Sequence, residues 1–355
     1  ERALFCRVSK DGEVELVDTL GLRHGGDVLS FLEGSEGLTE KDLDPACHSS
    51  ASWPAYAEGL RKFDGEVSRC NAHTAGIDCC RSEGKVMILA SIHDTYPIPK
   101  RSELVWASCR DLETAHALKR EVALQSKQSM AKSCEYMHRD VCEGVDRAGR
   151  ILIKVIETVG MQRVEPLWNF KLLVESLPLP FSSVVCDKFL YWLNDLFPNP
   201  LTAPLQELAQ GFDHHLLIEF ADYSEGEVER LRAALDKFVA ARPSGHVKYH
   251  VCEGEKEKSR ATLFRFAVAP AFRTFTVGNN MQGLSIDYAL PKNFTALPAL
   301  PEESFPVAKR WFYSHFGCNV YHEDIMFGPD VDVAAAKHAF KHAIEHGSGG
   351  RLPAE

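Results

Sequence analysis

The sequence predicts an α+β protein built of more than one domain. Three observations carry this expectation. Strand-like runs gather around turn residues near the start and in the second half, helical periodicities alternate with the later strands, and the 355 residues are 45% apolar, 25% charged and 10% aromatic. A chain of this length and composition holds about two hydrophobic cores, and it is not a disordered, collagenous or multi-pass membrane sequence.

The elements follow in order. Leu4–Ser9 and Glu13–Asp18 partly alternate around Lys10-Asp11-Gly12, and Asp-Gly between two such runs is a hairpin signal. From Gly21 to Gly84 no period appears and Gly, Ser, Asp and Cys are frequent, so loops with short elements are expected. Val86–His93 is a continuous apolar run between Gly84 and Pro97, which predicts a strand buried on both faces that closes the first domain. A strand at Glu103–Ser108, a polar helix from Leu112 to Lys132 with Asp111 as N-cap, and a helix over Val141–Val159 come next.

The clearest unit is strand His215–Ala221, helix Gly226–Ala241 behind Ser224, a break at Arg242-Pro243-Ser244-Gly245, and strand His246–Cys252, a β-α-β arrangement. With strands near Leu284–Leu290 and Phe312–Asp324 it predicts an antiparallel sheet covered on one face by helices. A last helix, Asp332–His346, stops at Gly347. Leu177–Gln210 differs in character: Pro178, Pro180, Pro198, Pro200 and Pro204 interrupt an aromatic, leucine-rich run too broken to span a bilayer. Two readings stand, an amphipathic segment in a membrane interface or a Pro-broken helical pair packed on the protein.

Forty Lys and Arg against fifty Asp and Glu give a net charge of −10, which argues against a nucleic-acid partner. Eleven cysteines, an odd number without a Cys-x-x-Cys pair, fit neither a disulfide ladder nor a zinc ribbon and point to a reducing compartment. No targeting segment opens the chain at Glu1, and its composition does not wind down toward Glu355, so it reads as the interior of a longer polypeptide. Walker, Gly-x-Gly-x-x-Gly, Gly-x-Ser-x-Gly and His-Glu-x-x-His motifs are absent.

Among residues able to do chemistry, His315 and His322 fall on opposite faces of one regular strand, whereas a bulge or turn near Gly317 brings them together. With a carboxylate they would make a three-ligand metal site; alone, they are two structural histidines. Arg265, a guanidinium within Thr262-Leu263-Phe264-Arg265-Phe266-Ala267, either pairs with a protein carboxylate or awaits an anionic ligand. Glu135-Tyr136-Met137-His138-Arg139-Asp140 reads as a helix cap with an ion pair or as part of a site, and Cys79-Cys80 as two ordinary small residues or a redox pair.

Several strings together resemble the respiratory, quinone-dependent D-lactate dehydrogenases, flavoproteins of the vanillyl-alcohol oxidase superfamily with a membrane-binding domain. They are the opening hairpin, Arg69-Cys70-Asn71-Ala72, Gly84-Lys85-Val86, Glu135 to Asp140, Asn169-Phe170-Lys171, His214-His215-Leu216-Leu217, Leu263 to Ala267, Asp287-Tyr288-Ala289-Leu290, His315 to His322 and Pro353-Ala354-Glu355. The most specific are the Tyr-Met-His-Arg-Asp string and the paired histidines.

The resemblance implies the second half of a PCMH-type FAD-binding domain (1–95), a cap domain (96–137 and 213–346) with an antiparallel sheet and covering helices, a membrane-binding insertion (138–212), and a return to the flavin domain (347–355). It implies FAD as cofactor, with Ile88 touching it through the backbone, and a divalent metal, Zn or Mn, held by His315, His322 and Glu355. Arg265 is implied to clamp the substrate carboxylate, and His315 and His322 to act on its hydroxyl. The implied reaction oxidises D-lactate, or a related D-2-hydroxy acid, and passes electrons to a quinone at a membrane to which the protein attaches peripherally from the cytoplasm or another reducing compartment.

Two departures bear on this. Gly317-Cys318-Asn319-Val320 stands where relatives carry Gly-Asp-Gly-Asn, and Ser285 stands where a lysine is expected. Two other readings are a membrane- or partner-binding module without catalysis, since the loop that cradles the FAD pyrophosphate is not in this sequence, and a metal hydrolase built on the histidine pair.

Overall fold

Short alternating runs make the first sheet and longer buried runs the second. The structure, a computed structural model, describes residues 2–23, 27, 30, 33–34, 39–42, 44, 56–67, 86–92, 97–125 and 129–352. Two compact units result: residues 1–57, 69–98 and 353–355 form one, and 58–68 with 99–352 form the other.

In the first unit β1 (Arg2–Val8), β2 (Val14–Asp18) and β3 (Val86–Ile92) form an antiparallel sheet in the order β2-β1-β3. The hairpin forms where the Asp-Gly signal places it: Gly12 takes φ +82°, and the Ser9 hydroxyl accepts the backbone N–H of Asp11 and Glu13. β3 corrects one expectation. It is a strand, but not one buried on both faces: Met87, Ile88 and Leu89 are exposed, as nothing among the described residues layers over both sides of this three-stranded sheet. The chain between β2 and β3 contains the short helix α1 (Tyr56–Arg61). Cys79-Cys80, Arg69 to Ala72 and Gly84-Lys85 lie outside the described residues.

The second unit is organised by a seven-stranded, wholly antiparallel sheet in the order β7-β4-β6-β5-β9-β10-β8. Its strands are β4 (Arg101–Cys109), β5 (Ser133–His138), β6 (His214–Asp222), β7 (Val247–Val251), β8 (Gln282–Ala289), β9 (Val307–His315) and β10 (Val320–Phe327). The helices are α2 (Leu112–Leu118), α3 (Arg139–Ala148), α4 (Arg150–Val159), α5 (Val164–Glu175), α6 (Ser182–Asn194), α7 (Ala203–Gly211), α8 (Glu227–Ala240), α9 (Gly254–Phe266), α10 (Val268–Gly278) and α11 (Val333–Ser348). In the β-α-β unit, β6 and β7 run parallel to each other with β4 antiparallel between them.

Helices cover both faces of this sheet, where the sequence predicts one. Alternate residues of β4, β5, β6, β9 and β10 feed two separate cores. One holds Val105, Tyr136, Leu216, Phe312 and Tyr321 with residues of α2, α8 and α11; the other holds Trp106, Met137, Leu217, Trp311 and Tyr313 with residues of α3, α7, α9 and α10. The predicted helix over 112–132 ends early. Asp111 caps it as expected, accepting the Thr114 N–H at 2.7 Å, but after α2 the chain makes one π-helical turn (Lys119–Ala123). It then re-enters the sheet as β5, because Cys134 and Tyr136 fill the first core and Met137 the second. The helix predicted over 141–159 breaks at Gly149, where the Arg150 N–H donates to the Asn194 side chain of α6.

Candidate active site

Strand register brings the candidate residues together. β9 and β10 join through a short turn at Phe316–Cys318, with Asn319 in the left-handed region (φ +54°), so His315 lies opposite Val320, and His322 opposite Tyr313. Tyr313 and His315 share a face, and the turn therefore places both imidazoles on one side, 5.0 Å apart between ring centroids and edge to face. Lys119, almost wholly buried, holds that turn: its ammonium bonds Asn319 Oδ1 at 2.5 Å and lies over the Phe316 ring.

The neighbouring strands supply a carboxylate to each histidine. Glu135 of β5 is in register with His315, whose Nδ1 is 3.0 Å from Glu135 Oε1; Asp287 of β8 is in register with His322, whose Nδ1 is 2.6 Å from Asp287 Oδ1. An ionised carboxylate only accepts, so each ring carries its proton on Nδ1 and turns the Nε2 lone pair outward. Tyr313 stacks on His322 and donates its hydroxyl to Asp324 at 3.0 Å; Ser285, in the place of the expected lysine, also donates to Asp324, at 2.6 Å. Burial pushes the Asp324 carboxyl up to about 6.

Arg265 enters from the end of α9. Its Nη2 lies 2.9 Å from Glu135 Oε2 and its guanidinium over the Tyr313 ring, so the pairing reading of this arginine holds in part. Its Nε is buried and finds no acceptor in the protein, and Nη2 meets the carboxylate without hydrogen-bond alignment. Donor capacity is thus left beside the histidines. Burial alone would raise the Glu135 carboxyl, but the His315 hydrogen bond and the Arg265 charge outweigh it and hold it below the usual range.

The Glu135 to Asp140 string divides between its two readings. His138 Nδ1 accepts the Asp140 N–H as the cap of α3, while Glu135 belongs to the site. Sequence reasoning missed the partner roles of Glu135 and Asp287, although both lie in the strings it singled out. Among the described residues no group of three or more ligating side chains could hold a metal; the histidines' nearest carboxylates bind the Nδ1 atoms. Glu355 lies outside the described residues. Ile88 is in β3 of the other unit and half exposed.

The family described as "D-lactate dehydrogenase, membrane binding" matches residues 104–355, a span that contains Arg265, His315 and His322. The chain belongs to this family. It is 28% identical over 368 residues to the quinone-dependent D-lactate dehydrogenase of Corynebacterium glutamicum and 26% identical over 370 residues to that of Escherichia coli. The alignments cover 99% and 100% of this chain but 62% of each relative, so the chain spans less than two thirds of their length. Among solved structures it is similar to an alkyldihydroxyacetonephosphate synthase (12% identity, TM-score 0.42, 99% of this chain and 49% of that one). A p-cresol methylhydroxylase is similar at 9% identity and TM-score 0.44, over 99% of this chain and 56% of that one.

The helices between Val164 and Gly211 pack on the protein and also leave apolar side chains exposed. Along α6, Asp187 and Asn194 are fully buried, whereas Val185, Phe189 and Trp192, with Leu196 just beyond, form an exposed apolar stripe at helical spacing. Asp187 is held by Lys171 of α5 and by Arg273 and Thr274 of α10, each at 2.9 Å. No helix among the described residues is long and apolar enough to cross a membrane. The helices pack on the protein with one side and present hydrocarbon with the other.

Proposed function

We propose that this chain carries the substrate site and membrane face of an FAD-dependent D-lactate dehydrogenase that makes pyruvate and passes electrons to a membrane quinone. The observation that carries it is the arrangement of Arg265, His315 and His322 on one face, the guanidinium with donors to spare and both imidazoles with Nε2 outward. The relatives' names supply the substrate and acceptor.

Arg265 binds the lactate carboxylate through the donors it does not use on Glu135, fixing the C2 hydroxyl over the imidazoles. His315 Nε2 takes the hydroxyl proton, and Glu135 steadies the imidazolium that forms at Nδ1. His322, fixed by Asp287 and stacked on Tyr313, holds the hydroxyl in line. Bound FAD supplies the acceptor for the C2 hydride. Ile88 of β3 is the residue that would touch it through its backbone. If zinc or manganese binds, His315 and His322 would hold it through the same Nε2 atoms with Glu355, and the metal would acidify the hydroxyl in place of a histidine base; the Nδ1 carboxylates match the outer partners of ligating histidines.

The test is anaerobic addition of D-lactate to the full-length flavoprotein. Bleaching of the flavin by D-lactate and not L-lactate is expected; no bleaching by either removes the proposal and favours the non-catalytic binding module.

A further inference from the structure

We propose that an apolar cleft among α4, α5, α6 and α10 is the binding site of the membrane quinone, an inference that rests on the reading above. The cleft has a volume of about 320 Å³, within the roughly 300–1,000 Å³ of ligand pockets in general. Ile151 and Val155 of α4, Trp168 and Phe170 of α5, Phe189 of α6 and Ala271 of α10 line it. Phe189 also belongs to the exposed stripe of α6, so the cleft is continuous with the surface that meets hydrocarbon.

One polar group marks it as more than a slot for a lipid chain. Lys171 lines the cleft with its ammonium 2.9 Å from Asp187, 3.5 Å from Glu175 and 4.9 Å from the centre of the Trp168 ring. Asp187 takes one of its three N–H donors, while Glu175 stands at ion-pair distance without a hydrogen bond, so donor capacity is left over beside the Trp168 ring. A saturated chain gains nothing from a donor or from flat aromatic faces. A quinone gains from both: its ring stacks on Trp168 or Phe189, a carbonyl oxygen accepts from Lys171, and its isoprenoid tail follows the apolar wall.

The position suits the chemistry. Arg265 ends α9, and the cleft residues Pro270 to Thr274 stand five to nine positions further along nearly continuous helix, about 8–14 Å away at the helical rise. A quinone held there takes two electrons from the reduced flavin together with two protons and leaves as the quinol, while the flavin returns to its oxidised form.

The experiment uses the full-length flavoprotein and ubiquinone-1, measuring equilibrium binding and the KM for quinone, with a soluble dye as the alternative electron acceptor. Trp168→Ala, which removes a stacking face, and Ile151→Phe, which fills the cleft, are each expected to weaken ubiquinone-1 binding and raise its KM about tenfold. Dye-linked D-lactate oxidation and sedimentation with vesicles should stay at the level of the unsubstituted protein. Unchanged quinone binding in both variants overturns the site. Competition by dodecanol as strong as that by ubiquinone-1 assigns the cleft to lipid chains and also overturns it. Because binding is read without turnover, a protein that binds ubiquinone-1 in the cleft but does not oxidise D-lactate refutes the dehydrogenase reading alone.

Discussion

Removing the Arg265 guanidinium should separate substrate binding from turnover. With Arg265→Ala the lactate carboxylate loses a charge-assisted pair, and the KM for D-lactate is expected to rise about 10- to 100-fold with a smaller change in kcat. Steady-state kinetics of the full-length enzyme check this, and unchanged constants would take Arg265 out of the site. Asp324 offers a test by pH. Its folded pKa is raised from 3.8 to about 6 by burial, so the stability it lends is complete below 3.8 and is lost as pH rises through 6. Asp324→Asn should flatten the dependence of Tm on pH across that window and stabilise the protein at pH 7 by about 1–3 kcal/mol. A variant whose Tm keeps the original slope would place the titration elsewhere. The candidate arginine and histidines are legible as residue types in the sequence, but their partners are not, since Glu135 and Asp287 are 180 and 35 positions from the histidines they orient.

At the level of elements, the site depends on how α3 lies against β9. A Cβ on Gly144 would stand 1.9 Å from the Trp311 ring, which is itself fully buried two positions before Tyr313. Gly144→Ala must therefore push the helix off the strand, at an expected cost of about 2–4 kcal/mol, read as a drop in Tm together with a weaker response to D-lactate. No change in Tm would mean that Trp311 has room to move. The β9-β10 hairpin shows what local signals can and cannot do. Gly317 and Asn319 mark a turn in the sequence, yet only the ladder register shows that it puts His315 and His322 on the same face. The opposite failure occurs at 119–132, where a polar run continues the helical pattern but the helix ends after one π-helical turn and β5 follows in the centre of the sheet, because two cores need its alternate side chains.

For the whole molecule, membrane attachment should be driven by hydrocarbon rather than by charge. Residues 161–200 carry three basic side chains (Arg163, Lys171, Lys188) and four acidic ones (Glu165, Glu175, Asp187, Asp195), a net of −1, and Lys171 is taken up inside. Against this, Phe181 and Trp192 are 79% and 70% exposed. Full-length protein is expected to sediment with neutral phosphatidylcholine vesicles with little dependence on salt. Phe181→Asp with Trp192→Asp should lower binding by more than tenfold, since each ring loses about 2 kcal/mol of burial. Strong salt dependence, or a requirement for anionic lipid, would show that charge carries the attachment.

The sequence by itself determined the α+β class, the opening hairpin and the β-α-β unit and singled out Arg265, His315 and His322 as candidates, because hydrophobic period, turn residues and motif strings are local properties. Tertiary structure alone decided that helices cover both faces of the sheet, that β5 is a strand, and that Glu135 joins Arg265 to His315. Those outcomes depend on which distant strands stand in register, and pairing across a hundred or more residues leaves no periodic trace in the chain that makes it.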